Sequence, residues 1–390
     1  MKQRILTTLS LLLALLPAAA QEARITVDNP TAMQRHETVA TPLDGICRQL
    51  GVQTGTPLVV RNALGQQVVS QQTYDGLLLI FASVQPHGQA VFTVTPGQPQ
   101  AFPSEVQGAV YKSRLDDLTW ENDRGIYRVY GPALQRRGEK AYGTDVWVKN
   151  TPEPVVADRY RTHFRGMALR DSLRRAGKAQ EAREMDLAMS FHHDHGRGLD
   201  CYGVGPTLGC GAPALMTADG QLRFPYCYQQ CRILDNGPLR FTAQLDYGTT
   251  ADGVTEHRLI SLDKASHFNR CTVWYDGISQ PTTLATGVVL HGVSEPVLDS
   301  RYVLYADPTE NPKAHQSQIY VATLFPDGIS ETRQASGHAL GLLRGYSGQR
   351  YTYWFGSAWS RYDVPTQAHW QLCVEQFLEQ LKQPLTVTVK

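Results

Sequence analysis

The sequence is short of charge. Of its 390 residues, 19% are Asp, Glu, Lys or Arg, and the formal net charge is +1. A nucleic-acid partner is excluded on that ground, because such a binder carries a basic stripe. Disorder is excluded as well, since 42% of the residues are hydrophobic, enough to bury a core. Seven cysteines are far too few for a disulfide scaffold. Beyond residue 20 no apolar run is long enough to cross a bilayer, so no membrane span is expected. There is no G-x-S-x-G, no Walker-type loop, no dinucleotide fingerprint and no short-period repeat, which leaves redox-cofactor and ATP chemistry without support. What is abundant is Tyr (18), Gly (33) and Pro (22), a composition that leans toward a turn-rich β protein.

The first twenty residues read as an address. Lys2 and Arg4 are followed by the apolar run Leu9 to Leu16 and by Ala18-Ala19-Ala20 before Gln21. This is the three-part pattern of a cleavable secretory signal. It predicts an exported, soluble chain, periplasmic in a Gram-negative host. Losing two basic residues makes the mature chain slightly acidic. The cysteines are Cys47, Cys201, Cys210, Cys227, Cys231, Cys271 and Cys373. An odd number in an exported chain implies a free thiol or an intermolecular bond. A zinc site at Cys201, Cys210, Cys227 and Cys231 is disfavoured by their spacing, so a local disulfide or buried thiols is the better expectation.

Residues 22–100 read as short strands divided by turns such as Asn62-Ala63-Leu64-Gly65, which predicts a small β-sandwich. The Pro- and Gly-rich stretch from Thr95 to Gln100 marks a boundary. From 105 to 390, about ten further strand candidates predict a large antiparallel β-sandwich with a C-terminal helix. Leu169, Leu173 and Ala176 suggest one helix over 166–188, read as a solvated surface helix or an insertion. Trp370, Val374, Phe377, Leu378 and Leu381 form a stripe that predicts a helix over 367–381 packed on the sandwich.

The densest polar stretch is Phe191-His192-His193-Asp194-His195-Gly196-Arg197-Gly198-Leu199-Asp200-Cys201-Tyr202. Imidazole, guanidinium and phenol crowded on a Gly-rich loop suit acid–base chemistry, with His192, His195, Arg197 and Tyr202 as catalytic candidates. Five glycines between residues 196 and 209 would let the backbone approach a ligand. If Phe191 to His195 is extended, His192 and Asp194 share one face and His193 and His195 the other. Divalent-metal ligation by His192, Asp194 and His195 is an alternative, although the spacing is not a standard one. Ordinary hydrogen-bonded histidines are the bland reading. A second constellation, Trp120-Glu121-Asn122-Asp123-Arg124, suits sugar binding, with Trp120 stacking on a pyranose and Arg124 on a carboxylate. Its alternative is a charged turn with a core Trp. Asp200, His291 and Trp359 complete the substrate-binding candidates.

These segments, with Tyr130-Gly131-Pro132-Ala133-Leu134, Asp145-Val146-Trp147, the Asp194–Gly209 stretch, Asn236-Gly237-Pro238, Ile260–Asp263 and Ala358-Trp359-Ser360, resemble a large exported family of polysaccharide-degrading bacteria. It is labelled only as a domain of unknown function. The resemblance covers about residues 105–385, and the ulvan oligosaccharide dehydratase is similar. It implies a supersandwich, mutarotase-like fold and an enzyme acting on an oligosaccharide. That enzyme removes water, or an alcohol, from a non-reducing-end uronic acid and leaves a 4,5-unsaturated residue. Such elimination needs a cation on the carboxylate (Arg124 or Arg197), a base at C5 (His195 or His192) and an acid at O4 (Tyr202 or another histidine). The alternatives are a glycoside hydrolase using Glu121 and Asp200, and a non-catalytic glycan-binding protein.

Overall fold

A computed structural model describes residues 21–292, 294–309 and 317–390. The leader expected over residues 1–20 lies outside the described residues. The fold is mainly β, built of antiparallel sheets, with a C-terminal helix.

The N-terminal unit is two small sheets facing each other. One runs in the order Thr386–Val389, Ala23–Asp28, Gln89–Pro96, Leu58–Asn62, and the other Arg35–Pro42, Leu77–Val84, Ser70–Gln72. Helix α1, Leu43–Leu50, plugs one end. It buries Leu43, Ile46, Cys47 and Leu50 on a single face and stops at Gly51, whose φ of 63° only glycine adopts readily. The sequence-based boundary needs correction here. The last strand pairs with the first, Ile25 opposite Val389, so the tail of the chain completes the N-terminal unit rather than the large sandwich. Leu385 joins the same core, with Val387 and Val389 packed against it.

One layer of the large sandwich is an eight-stranded sheet. Its order is Tyr228–Asn236, Arg240–Tyr247, Thr255–Asp263, Phe268–Asp276, Tyr351–Trp359, Ile319–Leu324, Tyr302–Asp307, Val297–Asp299. The alternation in Thr255–Asp263 is strict, with Glu256, Arg258, Ile260 and Leu262 buried in turn. The second layer is two five-stranded sheets side by side. One holds Gly198–Asp200, Asp145–Lys149, Ile126–Val129, Asp117–Glu121 and Gln107–Tyr111. The other holds Leu222–Arg223, Cys210–Met216, Thr282–Val289, His338–Tyr346 and Glu331–Ala335. A parallel bridge between Thr144 and Gly209 joins them. A Cβ at Gly209 would sit 2.1 Å from the Thr144 carbonyl, and one at Gly198 2.1 Å from that of Val148. These two glycines let strand approach strand, which corrects the expectation that they open the backbone to a ligand.

The charged segment after residue 155 forms two helices, not one. Helix α2, Pro132–Arg136, precedes them; α3 spans Val156–Arg175 and α4 Ala179–Met189, with Gly177 at φ 73° in the turn. The pair is no loose insertion. Val156 and Tyr160 of α3 pack with Ile126, Trp147 and Phe191 over the outer face of the first five-stranded sheet. Helix α5, Gln367–Lys382, buries Trp370, Val374 and Leu378 against Phe268, Tyr302 and Tyr320, as its stripe predicts.

Candidate active site

Beneath α3 the outer face of the first five-stranded sheet carries buried charge beside the Ile126 and Trp147 side chains. Asp117, Arg128, Asp145 and Asp200 come from four adjacent strands, and all are buried. Arg128 Nη2 bonds to Asp145 and lies 3.1 Å from Asp200 Oδ2, while its Nε is 3.9 Å from Asp117 Oδ2. Its guanidinium lies over Trp147 at 4.9 Å and Tyr130 at 5.1 Å. Burial alone would lower the basicity of Arg128, but Asp145, Tyr130 and Asp200 outweigh it and hold the arginine charged.

Three carboxylates around one guanidinium leave a negative excess. Burial lifts the Asp117 carboxyl to about 6, with Arg128 and Arg114 opposing. The folded chain thus holds this proton more tightly than the unfolded chain, whose carboxyl titrates near 3.9. The resulting stability is fully present below about pH 4 and is lost as pH rises through about 6. Asp117→Asn should flatten the stability profile between those pH values and gain on the order of 2 kcal/mol at pH 7. Urea denaturation at pH 4.5 and pH 7 checks this; a slope equal to that of the wild type would refute it.

A second group lies where the three sheets of the sandwich meet. His291 follows the strand Thr282–Val289, and Asp307 ends Tyr302–Asp307. Asp307 is fully buried, and His291 Nδ1 lies 2.6 Å from its Oδ2. The other carboxylate oxygen accepts from Thr309 N at 2.8 Å, so the carboxylate is fixed from both ends. This pair sets the tautomer of the imidazole, with the proton on Nδ1 and the basic lone pair on Nε2. The Tyr202 ring meets the His291 ring edge to face at 5.3 Å. Tyr202 is 2% exposed, and its hydroxyl has no hydrogen-bond partner among the described residues. Burial, then Cys210 and Asp307, push its phenol far above the ordinary range.

Sheet register brings a third side chain alongside. Asp307 pairs with Ile319 and Ile319 with Trp359, so the acid and the indole stand in a single row with one strand between them. The Trp359 ring is 2% exposed and lies under the Arg361 guanidinium at 5.2 Å. Arg361 is half-exposed and pairs with Asp194 at 3.2 Å, which ties this rim to the His192–His195 loop.

Residues 27–387 match the family model described as Domain of unknown function (DUF4861). The chain belongs to that family. One relative, "Uncharacterized protein P7" of Formosa agariphila, is 25% identical over 312 residues, covering 73% of this chain and 72% of its own. Two crystal structures share the fold at low identity. An alpha-mannosidase from Enterococcus faecalis V583 aligns over 96% of this chain with a TM-score of 0.53 and 10% identity. A protein in the Glycosyl Hydrolase Family 38 from Enterococcus faecalis aligns over 95%, with 0.54 and 9%. The DUF4861 chain spans just under half the length of each, 46% and 47%.

In this DUF4861 chain the residues singled out from the sequence separate into four places. The Phe191–His195 segment is a turn, not an extended strand, so its side chains do not alternate between two faces. His192 Nδ1 donates to the Asp200 carbonyl at 3.1 Å and sits above the Arg128 cluster. His195 Nε2 donates to the Ser190 carbonyl at 2.9 Å and lines another cavity, together with Arg197. Asp194 accepts from Gly196 N and Gly198 N and shapes the loop. His192, Asp194 and His195 therefore do not converge, and among the described residues no group of three or more His, Cys, Asp or Glu is arranged to hold a metal ion. Among the described residues Cys47, Cys210, Cys227, Cys231, Cys271 and Cys373 are free thiols, four of them buried.

The Trp120 to Arg124 segment is structural. Trp120 is fully buried, stacks on Tyr127 and Phe241 and donates to Asn269 at 2.7 Å, so it cannot meet a sugar ring. Glu121 pairs with buried Lys149 at 3.0 Å and accepts from Val155 N and Val156 N, capping the start of α3. Arg124 is engaged by Asp123 and Asp363. Only Tyr202, His291 and Trp359 of the original candidates share the sheet junction. Asp307 and Arg361, which complete it, were not singled out. The one available signal was an acid closing the strand after Tyr305.

Proposed function

We propose that the protein is a carbohydrate-active enzyme, exported to the periplasm, that eliminates water or an alcohol from a uronic-acid residue at an oligosaccharide end. The observation that carries this reading is the pairing of an oriented imidazole, His291 on Asp307, with a buried, unpartnered phenol, Tyr202. Elimination needs two proton-handling groups and a cation beside the carboxylate. The base role moves from His195 to His291, because His195 is held by a backbone carbonyl outside this junction. His291 Nε2 takes the C5 proton, the C4–O bond breaks as C4=C5 forms, and Tyr202 protonates the departing oxygen. Arg361 at the rim neutralises the uronate and so acidifies the C5 proton. A proton passing from His291 to Tyr202 resets the site.

Hydrolysis by Glu121 and Asp200 fits less well. Glu121 is occupied by Lys149 and two helix N–H groups, and Asp200 by Arg128. The test is incubation with oligosaccharides ending in glucuronic or iduronic acid, followed by ultraviolet absorbance of the conjugated product. Absorbance rising without new reducing ends is the expected result. New reducing ends without absorbance would mean hydrolysis, and binding without either would mean a glycan-binding protein.

A further inference from the structure

A cavity of about 290 Å³ opens between α3 and the His193–Arg197 loop, and it shares no residue with the Tyr202–His291–Asp307 junction. Its polar wall is basic: Arg159, Arg197, His193 and His195, with Thr162 beside them and the Phe191 ring as an apolar side. Asp158 also lines it but has its own partner in Arg161. Arg159 is the decisive group. Its Nη2 donates to the Gly198 carbonyl at 2.5 Å, while its Nη1 is buried with no partner. A guanidinium N–H left without an acceptor inside a protein is a standing cost that an incoming oxyanion removes. Burial, with Arg197 adding to it, pulls Arg159 down to about 10, although Glu121 and Asp194 oppose, so the cation is under-compensated where it stands. Arg197 is half-exposed at the mouth and reaches Glu153 at 3.1 Å, a surface pair that a stronger anion can exchange. A planar guanidinium offers two parallel donors to a carboxylate or sulfate.

We propose that this cavity binds the acidic group, carboxylate or sulfate, of an acidic saccharide at a site separate from the reacting centre. The saccharide part rests on the function proposed above; the oxyanion part rests on the cavity alone. The site would hold a second acidic residue of the chain, or a sulfate on a neighbouring sugar, and so select charged oligosaccharides over neutral ones.

Calorimetric titration of the full mature chain tests this with three probes: a glucuronate tetrasaccharide, its carboxyl-reduced counterpart and a sulfated neutral tetrasaccharide. The glucuronate or the sulfated probe should bind at least about tenfold more tightly than the reduced one, the discrimination that one charged hydrogen bond gives. Which of the two wins identifies the oxyanion. Arg159→Gln should shrink that gap. Arg197→Ala, at the exposed mouth, should shrink it too and carries the test if Arg159→Gln fails to fold. Equal binding of acidic and neutral probes, or a gap unchanged in the variants that fold, overturns the proposal. Acid-selective binding in a protein that eliminates nothing would sink the proposed reaction and leave this site standing.

Discussion

Tyr202→Phe should lower turnover on the accepted uronide by about 10²–10⁴-fold, the range for losing one positioned proton-transfer group, without lowering thermal stability. The two halves of this expectation come from one observation. The Tyr202 hydroxyl is buried and has no partner among the described residues. Burying a hydroxyl without a hydrogen bond costs on the order of 1–3 kcal/mol, so removing it at constant shape is neutral or stabilising. A side chain kept only for packing would behave the other way, with activity tracking stability. Asp307→Asn makes the contrast sharper. It leaves a group of similar shape beside His291 Nδ1 but removes the charge that favours the basic form of Nε2, so activity falls and the pH profile of kcat/KM moves. Steady-state kinetics by ultraviolet absorbance, with melting curves for each variant, give both readouts. Turnover in Tyr202→Phe within about threefold of the wild type, where a full proton-transfer role predicts at least a hundredfold loss, would remove the phenol from the mechanism.

Strand alternation and the stripe of α5 were legible because each depends on a local period. The loop at 191–202 was legible as the densest polar stretch, but of its candidates only Tyr202 reaches the sheet junction. The assembly of the site was not legible, for definite physical reasons. His192 and His195 are three residues apart, yet a turn sends one ring to the Asp200 carbonyl and the other to that of Ser190. Conversely, Tyr202, His291 and Asp307 lie far apart in sequence, and only the meeting of three sheets brings them together. Trp120 and Glu121 show the converse error. An aromatic beside acids and arginines reads as a sugar platform, whereas Glu121 is the acceptor that satisfies the first N–H groups of α3. No sequence pattern announced that helix start, because the residue that caps it lies 34 positions upstream. The C-terminal strand was missed for a related reason: pairing with residues 23–28 is a long-range event that no local signal encodes.

Arg128→Met should destabilise the chain by about 3–5 kcal/mol, the range for removing one partner of a buried ion pair. Methionine fills much of the same volume, so the loss is mainly electrostatic. Arg128 is the cation among Asp117, Asp145 and Asp200, and without it up to three carboxylates stay buried beneath α3. Some of their other bonds remain: Asp145 keeps the N–H of Val146, and Asp117 that of Gly131. Such bonds offset the desolvation of an uncompensated charge only in part. The deficit should therefore depend on pH. The Asp117 carboxyl, lifted to about 6 by burial, is charged near pH 7, where the deficit is largest; toward pH 4 it takes up a proton and the deficit shrinks. Urea denaturation of both proteins at the two pH values separates this from the lost stacking on Trp147 and Tyr130, which is independent of pH. A deficit of the same size at both values would assign the arginine to packing. Adding Asp145→Asn and Asp200→Asn should recover part of the stability at pH 7.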